Sequence, residues 1–269
     1  MAGAVNHSPA NRTGDAPPVE MCTGQSRVPD GQRVYAIGDI HGRFDLVSRL
    51  MVAIRAEVKA LPRGIEITVV GLGDFIDRGP QSREVVDLLC GMTHDPLFSF
   101  LGLMGNHEAM LQEALDHTGI SWDDWLDLGG SETLASYGVH GAHNISAGML
   151  RGFVARHLPA DHQLFLHGLR DMLVIGDYFF CHAGIRAGLP LPLQTAHDLH
   201  LIGGEFSAAD DAFEKVIVHG HARVAEPELR RHRINLDTGA HASGVLSAVV
   251  LEGAGIRFIH SRLEPSPTP

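Results

Sequence analysis

The sequence predicts an α/β protein in which two β-sheets pack as a sandwich, flanked by helices and carrying a helical insert. Three observations support this fold class. Strand and helix patterns alternate in the first half, helical patterns dominate residues 109–170, and apolar strand patterns return beyond that segment. Such an order of elements predicts sheets covered by helices.

The first two elements are a strand and a helix. The run Val-Tyr-Ala-Ile predicts a short buried strand that ends at Gly38. Apolar residues then recur at helical spacing from Val47 to Val58, which predicts an amphipathic helix. This helix is expected to stop before Pro62, since proline does not continue a helix.

The next elements repeat this alternation. The β-branched run at 65–70 predicts a second strand, and the run at 98–103 predicts a third. Between them lies a helical pattern with Ser82 as its candidate cap. Another helix is expected after Asn106, so the first half has the order β-α-β-α-β.

The remaining elements divide into an insert and a second set of strands. The helical insert at 109–170 is interrupted at Gly129 and Gly130 and again by Tyr-Gly-Val-His-Gly-Ala-His-Asn. Strand patterns follow in Leu-Val-Ile-Gly-Asp-Tyr-Phe-Phe-Cys, Val-Ile-Val, Ile-Asn-Leu, Val-Leu-Ser-Ala-Val-Val-Leu and Ile-Arg-Phe-Ile. Because their connections are short, they predict a mixed or antiparallel sheet.

The chain is expected to hold one domain between two tails. Residues 1–32 are rich in Gly, Pro, Asn, Ser and Asp and lack periodicity, which predicts a flexible N-terminal tail. Residues 263–269 have the same character. No linker or internal repeat interrupts residues 33–262, so these form the predicted domain.

Composition excludes some classes of protein. The formal net charge of −11 argues against non-specific nucleic-acid binding, which needs a basic surface. Cys22, Cys90 and Cys181 are widely spaced and form no Cys-x-x-Cys pair, as is typical of free thiols in a reducing compartment. No signal-peptide core or membrane span is evident, so a cytoplasmic protein with no membrane partner is expected.

Metal-binding side chains follow five of the predicted strands. Open α/β sheets place ligand sites at the carboxyl ends of their strands. The candidate residues at these ends are Asp39 and His41; Asp74, Asp77 and Arg78; Asn106 and His107; His182; and His219 and His221.

These donors indicate a two-metal hydrolytic site. Carboxylates, an amide and imidazoles suit Mn, Fe or Zn, and two ions about 3.5–4 Å apart can share a carboxylate and a hydroxide. That hydroxide would attack phosphorus in line, with Arg78 on the phosphoryl oxygens. His107 is the candidate proton donor to the leaving group, and Asp77 would hold its imidazole.

The motifs themselves resemble a known family. Gly-Asp-Ile-His-Gly, Gly-Asp-Phe-Ile-Asp-Arg-Gly, Gly-Asn-His-Glu, His-Ala-Gly and His-Gly-His resemble, in order, the signature blocks of the metallo-dependent phosphatases. Within that superfamily the chain is similar to the phosphoprotein phosphatase group and its bacterial serine/threonine-phosphatase-like branch. The resemblance covers residues 33 to about 260. It implies the calcineurin-like metallophosphoesterase fold.

The resemblance also implies roles for individual residues. Two divalent metals are implied, with Mn²⁺ expected in vitro and Fe or Zn as alternatives. Their implied ligands are Asp39, His41, the bridging Asp74, Asn106, His182 and His221. His107 with Asp77 would form the acid pair and Arg78 would bind phosphate, with Asn106 also facing substrate. The family pattern favours His221 over His219 as the ligand.

One block departs from the family pattern. Relatives carry a phosphate-binding arginine where this chain has Gly203, and a tryptophan where it has Leu201. Arg186, which follows the His-Ala-Gly motif, is the candidate replacement, and an ion pair with a surface acid is the alternative. Trp122 and Trp125 are expected to form the packed face of a helix, with a role at the substrate rim as the alternative.

Three functions follow from these observations. The first is hydrolysis of phosphomonoesters, with phosphoserine and phosphothreonine in proteins as the expected substrates. The second is hydrolysis of dinucleoside polyphosphates or other small phosphate esters, which the missing arginine keeps open. The third is a non-catalytic metal-binding module. The oligomeric state does not follow from the sequence.

Overall fold

The computed structural model describes residues 26–204, 206 and 213–263. Two mixed sheets form the sandwich, each with five strands in the described part of the chain. Helices cover them, so the predicted fold is confirmed. No helix among the described residues has the length and apolar character needed to cross a membrane.

The first sheet has the strand order β10-β9-β1-β2-β3. Strands β1, β2 and β3 are parallel, and β9 pairs antiparallel with both β1 and β10. Its strands are β1 (Gln32–Ile37), β2 (Glu66–Gly71), β3 (Ser99–Gly102), β9 (Val245–Glu252) and β10 (Gly255–Arg262).

The second sheet has the strand order β4-β5-β6-β8-β7. Strands β5, β6 and β8 are parallel, whereas β4 and β7 pair antiparallel at the two edges. Its strands are β4 (Met172–Ile175), β5 (Tyr178–Cys181), β6 (Val216–His219), β7 (Glu228–Leu229) and β8 (Arg233–Asn235).

The helices occupy three places. The first sheet is covered by α1 (Phe44–Ala60) and α2 (Ser82–Met92). The insert contains α3 (Asn106–Asp116), α4 (Trp122–Trp125), α5 (Ser131–Ser136), α6 (Ala147–His157) and α7 (Ala160–His167). Two short helices, α8 (Ala196–Leu201) and α9 (Ala240–Ser243), lie in the second half.

Alternation along the strands builds separate apolar layers. In β1, Tyr35 and Ile37 pack toward α1 and α2, whereas Val34 and Ala36 face the second sheet. Successive side chains of a strand point to opposite faces, which is why one strand serves both layers. The insert has its own core around Trp125.

Several predicted elements need correction. Gln81, not Ser82, is the N-cap of α2, and the Ser82 hydroxyl instead accepts a hydrogen bond from the backbone N–H of Asp77. The segment from Leu173 to Cys181 is a hairpin rather than one strand, because Gly176 turns the chain with φ +56°. The last two strands belong to the first sheet, because β9 pairs with β1 and β10 pairs with β9.

The predicted tails lie mostly outside the described residues. Residues 26–31, which belong to the predicted N-terminal tail, pack on the domain: Val28 is fully buried, and its N–H donates to the carbonyl of Gly253. Strand β1 begins at Gln32. Residues 1–25, with Cys22, and 264–269 are not described, while Cys90 and Cys181 are free thiols.

Candidate dinuclear metal site

The parallel strands bring the predicted metal-binding loops to one edge of the sandwich. In the loops that follow β1 and β2, the N–H groups of Ile40 and His41 both donate to the carbonyl of Asp74, at 3.0 and 2.8 Å. In the second sheet, the N–H of Gly220 donates to the carbonyl of His182 at 2.7 Å. These bonds join loops that are far apart in sequence.

Four side chains form one compact donor group. The amide oxygen of Asn106 lies 3.0 Å from Nε2 of His182 and 3.0 Å from Nδ1 of His221. A carboxylate oxygen of Asp74 lies 3.4 Å from the same His182 nitrogen. Nδ1 of His182 donates to the carbonyl of Leu72, which leaves Nε2 as the ligand atom.

A second group shares Asp74. Ligand atoms of His41, Asp74 and His107 lie within 4.8 Å of one another, as do those of Asp74, His182 and His221. His41 donates from Nδ1 to the carbonyl of Ile76, so its Nε2 faces Asp74 at 3.4 Å. One carboxylate therefore stands between two donor groups.

Asp39 is buried beside these groups. Its carboxylate accepts the N–H of His221 at 3.1 Å. Gly220 permits this contact, because a Cβ there would lie 2.0 Å from the Asp39 carboxylate. Burial, together with the negative charges of Asp237 and Asp74, holds the pKa of Asp39 well above its usual range.

The donor set fits divalent cations. Asp39, Asp74 and Asp237 are each at most 6 % exposed, and buried carboxylates require compensating positive charge. Burial also lowers the pKa of His41 to about 3 and that of His221 to about 4, which keeps both imidazoles neutral and able to coordinate. Oxygen and imidazole donors of this kind suit Mn, Fe or Zn.

His107, which belongs to the second donor group, also forms a buried pair with Asp77. Nδ1 of His107 donates to Asp77 at 2.8 Å, and its Nε2 has no hydrogen-bond partner among the described residues. Burial opposes a positive charge on His107, but the carboxylates of Asp74 and Asp77 outweigh it and raise the pKa of the imidazole. The imidazole can therefore carry a proton at Nε2.

Asp77 is itself held by the helical insert. The indole N–H of Trp125 donates to its Oδ2 at 2.9 Å, and the hydroxyl of Thr133 donates to its Oδ1 at 2.6 Å. Trp125 is thus more than the packed face of a helix, although Trp122 has only the predicted packing role among the described residues.

Arg78 stands at the opening of the site. Arg78 is exposed, and its Nη1 donates to Nε2 of His41 at 2.9 Å. Its charge also lowers the pKa of Asp39, of His107 and of His221, behind larger contributions from other causes. The guanidinium is therefore close to both donor groups.

Backbone strain is concentrated here. Six non-glycine residues in the described ranges have positive φ, and five of them are predicted site residues. They are His41, Asp74, Asp77, Arg78 and His221. Left-handed backbone costs energy in ordinary residues, so the surrounding structure must impose it, as is typical of functional sites.

Glu108 is a supporting residue that sequence reasoning missed. Its buried carboxylate accepts hydrogen bonds from the N–H groups of Asp74, Phe75 and Ile76, at 2.8 to 3.1 Å, and from that of Gly105. It thereby ties two of the motif loops together. The signal was available, because an acid directly follows His107 in the Gly-Asn-His-Glu motif.

Two predicted residues make other contacts. Arg186 forms an ion pair with Asp198, donating from Nε at 3.1 Å and from Nη2 at 2.5 Å, which is the alternative left open by the sequence. His219 donates from Nδ1 to the carbonyl of Gly220 and packs edge-on against Phe206. Neither contact is with a predicted metal ligand. An added Cβ at Gly203 would meet no atom within 4 Å.

The chain is similar to several known phosphatases. It is 38% identical over 228 residues to serine/threonine-protein phosphatase 2 of Escherichia coli (strain K12), a match that covers 80% of this chain and 91% of that protein. It is 25% identical over 232 residues to the asymmetrical bis(5'-nucleosyl)-tetraphosphatase PrpE of Oceanobacillus iheyensis, covering 80% and 87% of the two chains.

Comparison with solved structures and families agrees with this similarity. A crystal structure provisionally described as a diadenosine tetraphosphatase superposes with a TM-score of 0.58 at 22% identity, over 86% of this chain and 95% of the other. That similarity supports the fold. Residues 32–243 match the calcineurin-like phosphoesterase family. The chain is therefore a metal-dependent phosphoric ester hydrolase that belongs to the calcineurin-like phosphoesterases, within the metallo-dependent phosphatase superfamily.

Proposed function

We propose that this protein hydrolyses phosphomonoesters, with phosphoserine and phosphothreonine in proteins as its substrates. The observation that carries this proposal is the buried His107–Asp77 pair, in which His107 contacts the Asp74 carboxylate that both donor groups share. The similarity to a serine/threonine-protein phosphatase supports the substrate class.

Two metals are expected at the shared carboxylate. Asp74 would belong to both sites, with Asp39 and His41 on one side and Asn106, His182 and His221 on the other. When bound, the two cations supply an activated water for attack on phosphorus and neutralise negative charge on the phosphoryl oxygens. The donor set supports Mn²⁺ as the metal in vitro, with Fe or Zn as alternatives.

Arg78 and His107 would act on the substrate directly. Arg78 is exposed at the opening and can donate two hydrogen bonds to phosphoryl oxygens, replacing its bond to His41. As the bond between phosphorus and the leaving oxygen breaks, that oxygen takes the proton from Nε2 of His107. Asp77 keeps the imidazole oriented and stabilises its charge, and Trp125 and Thr133 hold Asp77.

The partners and the cellular location of the protein are part of the same proposal. The net charge of −11 disfavours nucleic acid as a partner. The free thiols of Cys90 and Cys181 support a cytoplasmic location.

Hydrolysis of dinucleoside polyphosphates is a second candidate. It is supported by the similarity to a bis(5'-nucleosyl)-tetraphosphatase and by the ion pair that engages Arg186. A non-catalytic module has less support. The buried His107–Asp77 pair supplies an oriented imidazole that can carry a proton, which a module that only binds metal does not need.

A substrate screen of the metal-reconstituted enzyme tests the proposal. Singly phosphorylated Ser and Thr peptides, nitrophenyl phosphate and a dinucleoside tetraphosphate would be compared by kcat/KM in Mn²⁺. We expect the highest values with the phosphopeptides, and no turnover by Asp74→Asn. A higher value for the dinucleoside tetraphosphate would favour the second candidate, and inactivity on all substrates with metals bound would refute hydrolysis of these esters.

A further inference from the structure

Arg223 is an exposed arginine on the loop that follows the predicted ligand His221. It has no ion-pair or hydrogen-bond partner through its side chain among the described residues. The loop is nevertheless fixed: the N–H of Val224 donates to the carbonyl of Asp237 at 2.9 Å, and Asn235 donates to the carbonyl of Ala222 at 2.6 Å. A fixed backbone therefore presents a guanidinium that acts on Asp237 through its charge but forms no hydrogen bond or ion pair among the described residues.

The guanidinium lies on Gly239. A Cβ at Gly239 would be 2.3 Å from Nε of Arg223 and 2.9 Å from its Cζ, so only glycine leaves room for this contact. Gly239 also has φ +65° and donates its N–H to the Asp237 carboxylate at 2.8 Å. Arg223 therefore contacts the chain at Gly239, which lies two positions from buried Asp237 and two positions from His241.

His241 connects this place to the metal site. Its ring packs edge-on against His41, with centroids 5.1 Å apart, and its Nδ1 is buried without a hydrogen-bond partner among the described residues. Arg78, Arg223 and Arg43 lie near enough to His241 for their positive charges to act on its ring. Three guanidinium groups therefore act on His241, although the whole chain is acidic.

Arg78 and Arg223 contact different parts of the site. Arg78 contacts His41 directly, whereas the contact of Arg223 is with Gly239, outside the donor groups. A phosphoryl group at the metals would meet Arg78, and the part of the substrate that extends toward His241 would meet Arg223. The chemistry of that position suits a further anion, because a guanidinium and an imidazole N–H both donate to phosphate oxygens.

We propose that Arg223, with His241, forms a subsite for a second phosphate group that the substrate carries next to the scissile one. This inference rests on the proposed phosphoesterase function and deepens it. Two sources supply such a group: the neighbouring phosphate of a polyphosphate chain, and a second phosphorylated side chain in a peptide. Arg223 would determine specificity and take no part in bond cleavage.

The test compares wild type, Arg223→Ala and Arg223→Lys on matched ligands. Singly and doubly phosphorylated versions of one peptide are used as substrates, and tripolyphosphate is used as substrate or competitive inhibitor, with Mn²⁺ in excess over total phosphate. Arg230→Ala is the control, since Arg230 is an exposed arginine that pairs with Glu228. Melting curves verify that each variant folds.

For Arg223→Ala we expect KM or Ki to rise roughly 10- to 150-fold for ligands with a second phosphate, the range for a lost charge-assisted hydrogen bond. The effect on the singly phosphorylated peptide should be at least about tenfold smaller, and Arg223→Lys should be intermediate because it keeps charge without the fork. If KM rises for the doubly phosphorylated peptide, the second phosphate belongs to a peptide side chain. If KM or Ki rises for tripolyphosphate, the second phosphate belongs to a polyphosphate chain.

The inference fails if Arg223→Ala changes all ligands equally, or changes none. It also fails if wild type binds neither the doubly phosphorylated peptide nor tripolyphosphate more tightly than the singly phosphorylated peptide. Inactivity of the metal-loaded wild type on every phosphate ester would instead refute the proposed function, and direct binding of tripolyphosphate to Arg223→Ala and wild type would still test the subsite.

Discussion

The buried floor of the site and its exposed rim are built differently. On the floor, Asp74, Asp77 and His107 are almost fully buried, and each is held by several hydrogen bonds from other loops. On the rim, Arg78 and Arg223 are exposed, and few bonds fix their side chains. The groups proposed for the chemistry are therefore held by many contacts, whereas the arginines proposed for substrate choice are exposed and held by few.

The largest effect is expected from the carboxylate that both donor groups share. Asp74→Asn should reduce metal content from about two ions per chain to nearly none, because the change weakens both sites at once. Elemental analysis of the purified variant measures this. Asp123→Asn, at an exposed position of α4, is the control. A variant that retains both ions would show that the floor does not depend on a shared ligand.

A smaller effect is expected from His107, the candidate general acid on the floor. His107→Asn should lower kcat for a phosphoserine peptide by about 10²–10⁴-fold, the usual contribution of a general acid. The loss should be smaller with nitrophenyl phosphate, whose leaving group needs less protonation. Steady-state kinetics with both substrates measure the difference.

His94→Asn is the matched control for this variant, since His94 is an exposed histidine outside the site. An equal loss with both substrates, or a change in KM alone, would remove His107 from the acid role and leave the floor with metal binding only.

The third effect comes from the insert behind the floor. Trp125→Phe removes the indole N–H that reaches Asp77 but keeps most of the apolar ring. We expect kcat for phosphomonoesters to fall about tenfold, at the lower end for a hydrogen bond to a charged group. Metal content should stay unchanged, as measured on the same samples.

Trp122→Phe is an unusually close control. Trp122 packs against Trp125 with centroids 5.7 Å apart, and its own Nε1 has no hydrogen-bond partner among the described residues. If both variants lose activity equally, Trp125 supports Asp77 by packing rather than by its hydrogen bond.

The difference between the floor and the rim also explains which residues could be predicted from the sequence. Asp39, Asp74 and His182 were predictable because each follows a strand in a short local motif, and parallel pairing brings strand ends together. Glu108, Trp125 and Thr133 were not, since their partners lie about 30 to 60 positions away and depend on how loops and insert pack.

The arginines of the rim were harder still to predict from the sequence. Arg186 and Arg223 each follow a motif closely, and nothing local in the sequence tells which of the two turns toward the site. The structure separates them by their contacts: Arg186 has a carboxylate partner in Asp198, and Arg223 lies on Gly239. The hairpin at Gly176 shows the same limit, because one strand and two strands have the same apolar pattern.

The smallest effect is expected from Arg186, and it sharpens the comparison most. Its guanidinium pairs with buried Asp198 while its own side chain stays 55% exposed, so the bond is already satisfied without substrate. Arg186→Ala should change kcat/KM for a phosphopeptide by less than about threefold, because the ion pair with Asp198 does not involve the substrate. Arg78→Ala, measured beside it, should raise KM roughly 10- to 150-fold. If Arg186→Ala weakens substrate binding as much as Arg78→Ala does, Arg186 leaves Asp198 when substrate arrives. The rim would then contain a third phosphate-binding cation in place of the arginine that relatives carry at the position of Gly203.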